Sequence, residues 1–344
     1  MRQEATAPGH ASDNGHSTPG RPRRISELPP GAMGLLARSL KRQWRRYRKE
    51  LKRCQKKFTP ARVHESRVAT RRLLSLLELL SPFLAPGRVR KSEAALKQHL
   101  EMFDELRDTQ VQLQAVRELR HDYPAARRFY NFLREREERL TRKTRKRIKH
   151  VKTGRLAELI DAAREELAQR CQDCPPAAAN AELLRAVDST FARARRLRER
   201  IAPDDTASIH RTRVAFKKFR YMIETLTKCL PAVDEQLLAA MRRYQTMMGE
   251  IQDAEVLGRT FEKFVRKETV SFGIAEEFHR ELLRRREVPV GRYLDAADRL
   301  LDFWEERKGP GLPPRDRPRA ERHREEAGLL FAVAAGAQPG RSST

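Results

Sequence analysis

The chain contains one motif twice, and this internal duplication constrains the fold more than any other feature. The first copy is VHESRVATRRL at residues 63–73, and the second is IHRTRVAFKKF at residues 209–219. Both copies follow the pattern apolar-His-x-x-Arg-Val-Ala-x-basic-basic-apolar. Because a repeated supersecondary unit dictates the architecture of the whole chain, the two halves are predicted to use the same local structure.

A second matched pair lies downstream of the motif. Leu-Arg-Asp at residues 106–108 corresponds to Ile-Gln-Asp at residues 251–253. The Asp follows the His of the motif by 44 residues in the first copy and by 43 in the second. This near-equal spacing predicts the same helix, turn and helix geometry in both halves.

The segment between the two ends of the chain reads as helix almost throughout. Glycine is scarce there, Leu, Arg, Glu and Ala dominate, and the apolar-polar alternation of strands is hard to find. Proline-containing breaks separate predicted helices of about 18 to 34 residues. These breaks fall at residues 59–60, 81–87, 123–124, 174–176, 203–205 and 230–231.

Each motif is preceded by a basic amphipathic helix, at about residues 35–57 and 181–201. Four antiparallel helices per unit suit a four-helix bundle, so we predict an all-α protein of two bundles with pseudo-twofold symmetry around a central basic channel. The predicted segments are a disordered N-terminal arm (1–33), repeat 1 (34–172), a linker (173–180), repeat 2 (181–308) and a disordered C-terminal tail (309–344).

The charge of the chain points to a polyanionic partner. Lys and Arg number 73 against 47 Asp and Glu, a formal net charge of +26. Such self-repulsion is relieved when something anionic binds.

Basic side chains form rows on the predicted helices. Positions i, i+3 and i+7 share one helix face, so the motif His aligns with two cations in each copy. Brought together, such rows predict a groove or pore in which Arg makes bidentate hydrogen bonds to phosphate and Lys makes point-charge contacts. The candidate binding residues are Arg42, Arg45, Lys49, His64, Arg67, Arg71, Arg72, Arg193, Arg196, His210, Arg213, Lys217, Lys218 and Arg220.

Motifs for catalysis, cofactors and metals are lacking in the sequence, so we predict a protein that is not an enzyme and holds neither a cofactor nor a metal. There is no Gly-rich phosphate loop or nucleophile motif, and Cys171 and Cys174 make only half of a zinc site. The scattered cysteines and the lack of an apolar N-terminal segment predict a reducing, cytoplasmic setting. No apolar run approaches the roughly 20 residues that span a bilayer, so we expect no membrane anchor.

The two motif helices and the Arg-Asp element resemble the CHAD family, the conserved histidine α-helical domain, across about residues 35–308. The resemblance implies two four-helix bundles with a central basic channel that binds inorganic polyphosphate, often at polyphosphate granules. Gln252 departs from the pattern, since Arg107 stands at its place in the first copy. By motif matching, the family's phosphate-contacting role falls on His64, Arg67, Arg71, Arg72, His210, Arg213, Lys217, Lys218 and Arg220.

The leading hypothesis is therefore non-enzymatic binding of polyphosphate, with other polyanions as further candidate partners. Nucleic-acid binding is the alternative. Binders of single strands stack bases on aromatic side chains, and Trp44 and Tyr47 are the only clustered rings beside the basic rows. This scarcity of aromatics favours a ligand without bases. A third hypothesis is phosphotransfer through His64 or His210.

The charged run at residues 134–149 is interpreted as a solvated face. The sequence leaves the oligomeric state open.

Asp108 and Asp253 are interpreted as structural residues. An acidic side chain next to a cationic groove usually orients an Arg or Lys through an ion pair.

Overall fold

The computed structural model describes residues 28–202, 204–230, 233–268 and 270–305. In these ranges the chain forms ten α-helices and four short 3-10 helices and no strand, which confirms the all-α prediction. The α-helices are α1 (Ala32–Lys56), α2 (Pro60–Leu80), α3 (Pro86–Glu101), α4 (Asp104–Val116), α5 (Pro124–Lys149), α6 (Gly154–Asp173), α7 (Pro176–Arg198), α8 (Thr206–Leu226), α9 (Glu235–Glu268) and α10 (Phe272–Ala296).

The two motif helices begin with conventional start signals. In α2, Pro60 occupies the first turn, and the Thr59 hydroxyl accepts a hydrogen bond from the Arg62 amide at 3.4 Å. In α8, the Asp205 carboxylate accepts one from the Ala207 amide at 2.9 Å. Because proline lacks an amide hydrogen and Thr and Asp satisfy the free amides of a first turn, these helices start where the local sequence predicts.

The region predicted as repeat 1 contains six helices, α1 to α6, instead of the predicted four. The separation of α3 from α4 falls at Met102 and Phe103, where the sequence has neither Pro nor Gly. Phe103 is buried, and the Met102 carbonyl accepts a hydrogen bond from the Thr144 hydroxyl of α5. The break therefore depends on tertiary contacts, and repeat 2 carries one continuous helix, α9, in the corresponding place.

Two predicted boundaries also shift. The predicted linker at residues 173–180 shortens to two residues, because α6 ends at Asp173 and α7 begins at Pro176. Pro favours the first helical position, and the alanines that follow have the highest helix propensity. The predicted N-terminal arm ends earlier, since Leu28 is buried and its carbonyl accepts a hydrogen bond from Asn180 at 2.8 Å.

Several predictions fall on residues that lie outside the described ranges. These are the predicted arm up to residue 27, the predicted C-terminal tail at residues 309–344, and the break residues Pro203 and Pro231. Among the helices of the described part, none combines the length and the apolar character needed to cross a membrane.

Two hydrophobic cores hold the helices together, and both combine residues from the two repeats. The main core joins α1, α2, α3 and α6 to α7, α8 and the first half of α9. The distal core joins the first half of α5 to the second half of α9 and the start of α10. In the distal core, the Phe129 ring meets Phe261 edge-on with centroids 5.3 Å apart. Burial across the repeat boundary is consistent with one compact unit for the described residues.

The motif helices α2 and α8 pack against each other at the centre of this unit. Buried small polar residues line both helices, and their hydroxyls bond within their own helix. Thr70 donates to the Ser66 carbonyl at 2.7 Å, and Thr212 donates to the Ser208 carbonyl at 3.0 Å. α2 also packs against α1 and α3, and α8 also packs against α7 and α9. Arg67, Arg71, Arg213 and Lys217 are therefore partly withdrawn from solvent, whereas Arg72 and Lys218 stay exposed.

Candidate functional site

Cations from both motif copies meet where α2 and α8 pack. We call Arg67, Arg71, Arg213 and Lys217 the central basic cluster. Lys217 is half-buried, and its pKa falls to about 7, mainly through burial and then through the nearby charges of Arg71, Arg213 and Arg67. Asp104 acts in the opposite direction and is the weakest of these influences. Nearby carboxylates balance only part of this positive charge, since Asp104 pairs with Arg67 and the other acidic neighbours are Asp108 and Asp253.

Arg67 is held by neighbours in the same repeat. Its guanidinium donates to the Asp104 carboxylate at 2.9 Å and to the Leu100 carbonyl at 3.4 Å, and only 9% of the residue is exposed. Burial, followed by the charge of Arg71, lowers the pKa of Arg67. This ion pair joins the buried Arg67 to the exposed Asp104 and anchors Arg67 to the start of α4.

Arg213 takes the place of Arg67 in the second motif copy, but its surroundings differ. Its guanidinium lies against the α9 backbone at Gly249, where an added Cβ would sit 3.6 Å from Nε and 3.7 Å from Nη2. The Nε atom is buried and has no hydrogen-bond partner among the described residues. Burial lowers the pKa of Arg213, and the charge of Asp253 opposes this shift. Arg213 thus keeps a hydrogen-bond donor unused.

The two motif histidines differ in exposure. His64 is exposed, whereas His210 is half-buried beside Gln252, whose side chain acts to raise the pKa of the ring. Burial lowers the pKa of His210, and the cations Arg213 and Arg259 add to the effect, so the ring favours the neutral form. Its Nδ1 atom is buried without a hydrogen-bond partner in the described residues.

Asp108 and Asp253 lie close to each other, each beside the motif arginine of its own repeat. Burial raises the pKa of both carboxyl groups; the charge of Asp104 raises that of Asp108 further, and the charge of Asp108 raises that of Asp253. Arg67 lowers the pKa of Asp108, and Arg213 lowers that of Asp253. Both side chains keep contact with solvent, so the surrounding protein removes only part of their hydration.

Arg220 makes its contacts outside the central basic cluster, although its position on α8 predicted that it would share a row with Arg213 and Lys217. It is 6% exposed, and its Nε donates to the side-chain amide oxygen of Gln245 at 2.8 Å. It also forms an ion pair with Glu224 and stacks over the Tyr221 ring at 4.3 Å. The neighbouring helix covers this part of α8, so Arg220 serves packing between helices.

Lys218 is exposed on α8 and connects the two repeats through an ion pair. Its ammonium lies 3.3 Å from the carboxylate of Glu78 on α2. Burial raises the pKa of Glu78, and Lys218 counteracts that shift. Lys218 therefore contributes to the α2–α8 contact through an ion pair.

Arg42 and Arg72 border a cavity of about 480 Å³ between α1, α2, α8 and α9. Arg42 also donates to the Ser39 hydroxyl at 2.9 Å. The remaining predicted residues are exposed on α1 and α7, and the contacts among the described residues do not join them to the central basic cluster. They are Arg45, Lys49, Arg193 and Arg196.

Sequence reasoning missed Asp104, Gly249 and Arg259 as parts of the site. Asp104 and Gly249 each lie four residues before the matched Asp of their repeat, which is one helical turn. That spacing is the signal that would have found them. As for the half zinc motif, Cys171 and Cys174 are free thiols, and the described side chains contain no group of three or more metal ligands.

Comparison with known proteins identifies the family. The sequence pattern of the CHAD domain matches residues 36–262, more than half of the chain. A crystal structure of the CHAD domain from the plant Ricinus communis has a TM-score of 0.61 at 18% identity, covering 84% of this chain and 98% of that one. PptA from Streptomyces chartreusis has a TM-score of 0.56 at 16% identity, covering 79% and 99%. Curated proteins gave no match. The chain belongs to the CHAD domain family.

Proposed function

We propose that the chain binds inorganic polyphosphate through the central basic cluster and does so without catalysis. One observation carries the proposal: Lys217 is half-buried among Arg67, Arg71 and Arg213, so that its pKa falls to about 7. A folded protein that assembles cations from two repeats with too few acids to balance them stores unfavourable electrostatic energy. A bound polyanion removes that energy, and this provides the driving force for binding.

The chemistry of the side chains fits a chain of phosphates. Arg71 and Arg213 offer guanidinium groups for paired hydrogen bonds, and Lys217 adds a compact charge. A phosphate next to Lys217 favours its charged form and reverses the effect of the neighbouring arginines. The repeated charges of polyphosphate match a row of cations better than a single small anion does.

The pseudo-twofold arrangement and the basic groove or pore are part of the proposal. Arg71 and Lys217 hold equivalent places in the two motif copies and influence each other's charge. Asp108 and Asp253 are likewise equivalent, and the charge of Asp108 acts on Asp253. Equivalent residues that meet across α2 and α8 support a local twofold axis between these helices.

The aromatic residues support nucleic-acid binding less well than they support polyphosphate binding. Binders of single strands stack bases on exposed rings. The two candidate rings, Trp44 and Tyr47, are 5% and 1% exposed, respectively, so neither offers a stacking face. A ligand without bases is the better match.

Titration calorimetry with long-chain polyphosphate at physiological salt tests the proposal, with single-stranded RNA of equal charge as competitor. We expect tight binding of polyphosphate that RNA does not displace. Equal competition by RNA would reduce the function to general polyanion binding, and no heat of binding would refute it.

A charge-removal variant locates the site. The double substitution Arg71→Gln and Lys217→Gln should abolish most of the affinity while leaving the fold intact, since both side chains are only half-buried and no carboxylate partner of theirs is described. Arg67 is unsuitable for this purpose, because its loss would leave Asp104 without its partner. The matched control is Arg134→Gln with Arg139→Gln on exposed positions of α5.

Two further parts of the proposal have their own tests. Association with polyphosphate granules predicts that a fluorescent fusion forms foci that disappear with the same double substitution. The non-catalytic role predicts that radiolabelled phosphoryl donors leave no acid-labile label on the protein. Acid-labile label that is lost in His64→Gln would instead favour phosphotransfer.

A further inference from the structure

The two copies of the site are unequal at one position. Asp104 in the first copy and Gly249 in the second occupy equivalent places, one helical turn before Asp108 and Asp253 respectively. Both face the motif arginine of their own repeat, as the Arg67–Asp104 ion pair and the packing of Arg213 on Gly249 show. The second copy therefore lacks the carboxylate that the first copy provides.

This difference changes the state of the arginine. Arg67 has an acidic partner at 2.9 Å, while Arg213 has a buried Nε without a partner in the described part of the chain. Asp253 influences the charge of Arg213 but forms no ion pair with it among the described contacts. A buried guanidinium donor without an acceptor is costly, and a negatively charged oxygen satisfies it best.

Backbone geometry does not account for the glycine. Gly249 lies inside α9, where glycine is unfavourable, and the positive φ among the described glycines belongs to Gly31. The space at position 249 also accepts a Cβ at ordinary contact distance from Arg213. What glycine does provide is room without a competing carboxylate, and the half-buried Arg213 keeps partial access to solvent beside Arg71 and Lys217.

We propose that Arg213 is the main phosphate anchor of the site, and that a phosphate of the ligand takes the place on Arg213 that Asp104 takes on Arg67. This inference rests on the proposed function and adds an asymmetry to it. In the first copy, Asp104 accepts the hydrogen bond of Arg67, so this arginine has a structural role in the site. The second copy leaves its arginine free for the ligand, with Lys217 and Arg71 as neighbouring contacts.

The test restores the missing carboxylate. Gly249→Asp gives Arg213 an internal partner, and Gly249→Asn is the matched control of nearly the same size without charge. Affinity for long-chain polyphosphate is measured by calorimetry on the full chain, with circular dichroism and thermal unfolding to verify the fold. We expect Gly249→Asp to bind at least about five times more weakly than Gly249→Asn. A smaller difference overturns the proposal.

A double-mutant cycle identifies the residue through which the carboxylate acts. Arg213→Gln should weaken binding by about tenfold in the natural background and have little further effect beside Gly249→Asp. Equal losses in both backgrounds would overturn the proposal, because the new carboxylate would then act through another group.

A separate variant covers the case in which Gly249→Asp does not fold. Arg213→Gln is compared with Arg211→Gln on the same helix, where the exposed Arg211 pairs with Asp205 at 3.0 Å. The anchor role predicts a loss that is confined to Arg213→Gln, and equal losses contradict it. If wild-type protein fails to bind polyphosphate, the proposed function itself fails. If the wild-type protein binds polyphosphate and Arg213→Gln binds it equally well, only the proposed asymmetry is refuted.

Discussion

Proton uptake by Lys217 is the sharpest quantitative consequence of the site. The pKa of this ammonium falls from an ordinary 10.5 to about 7, so the side chain is mostly neutral in the free protein at pH 8. The groups that face it are Arg67, Arg71 and Arg213 together with Asp104. A phosphate in the site raises the pKa again, and at pH 8 the complex should take up about 0.9 proton.

The direction of the pH dependence follows from this uptake. Because the bound state holds more protons, affinity should fall above pH 7, by up to about tenfold per pH unit while Lys217 is charged only in the complex. In the ligand-free protein the unfolded chain binds the extra proton between pH 7 and about 10.4, so stability should rise with pH in that window. The lowered pKa of His210 adds uptake only at more acidic pH.

Calorimetry at pH 8 in buffers with different ionisation enthalpies measures the uptake directly. Long polyphosphate chains keep the share of titrating terminal groups small. Lys217→Arg retains the charge but does not titrate, so it should bind at pH 8 with the uptake removed, while Lys218→Arg serves as an exposed lysine control. An uptake below about 0.3 proton in the wild type, or an unchanged uptake in Lys217→Arg, would refute the reasoning.

Three other predictions concern the same molecule. If four cations contact phosphate, the logarithm of affinity should fall with the logarithm of salt concentration with a slope of about −3, and titrations that show no salt dependence would exclude the basic cluster as the site. Arg220→Met should lower the unfolding free energy by about 3 kcal/mol in urea denaturation, because Glu224 and Gln245 lose a largely buried partner, and an unchanged midpoint would contradict its packing role. Arg134→Glu should change polyphosphate affinity by no more than about threefold, since exposed charges at a distance are screened, and a larger loss would extend the site to α5.

Much of the fold was predictable because its signals are local. Proline or a capping side chain marks the starts of α2, α3, α5, α7, α8 and α9, for example Pro60 and Pro124. The break at Phe103 was not predictable in this way, since it depends on burial against other helices and has no local marker. The binding rows were partly predictable for a similar reason. A position on a helix face follows from spacing alone, but the helix that covers that face does not.

The sequence by itself determined the duplicated motif, the helical class, the surplus of positive charge and the set of cations from which a site can be built. Only the tertiary structure decided how those cations are used. It buried Arg220 against Gln245, paired Arg67 with Asp104, and brought Arg71 next to Lys217 from helices far apart in sequence. Charge and periodicity are properties of neighbouring residues, whereas burial and ion pairing depend on contacts between distant ones.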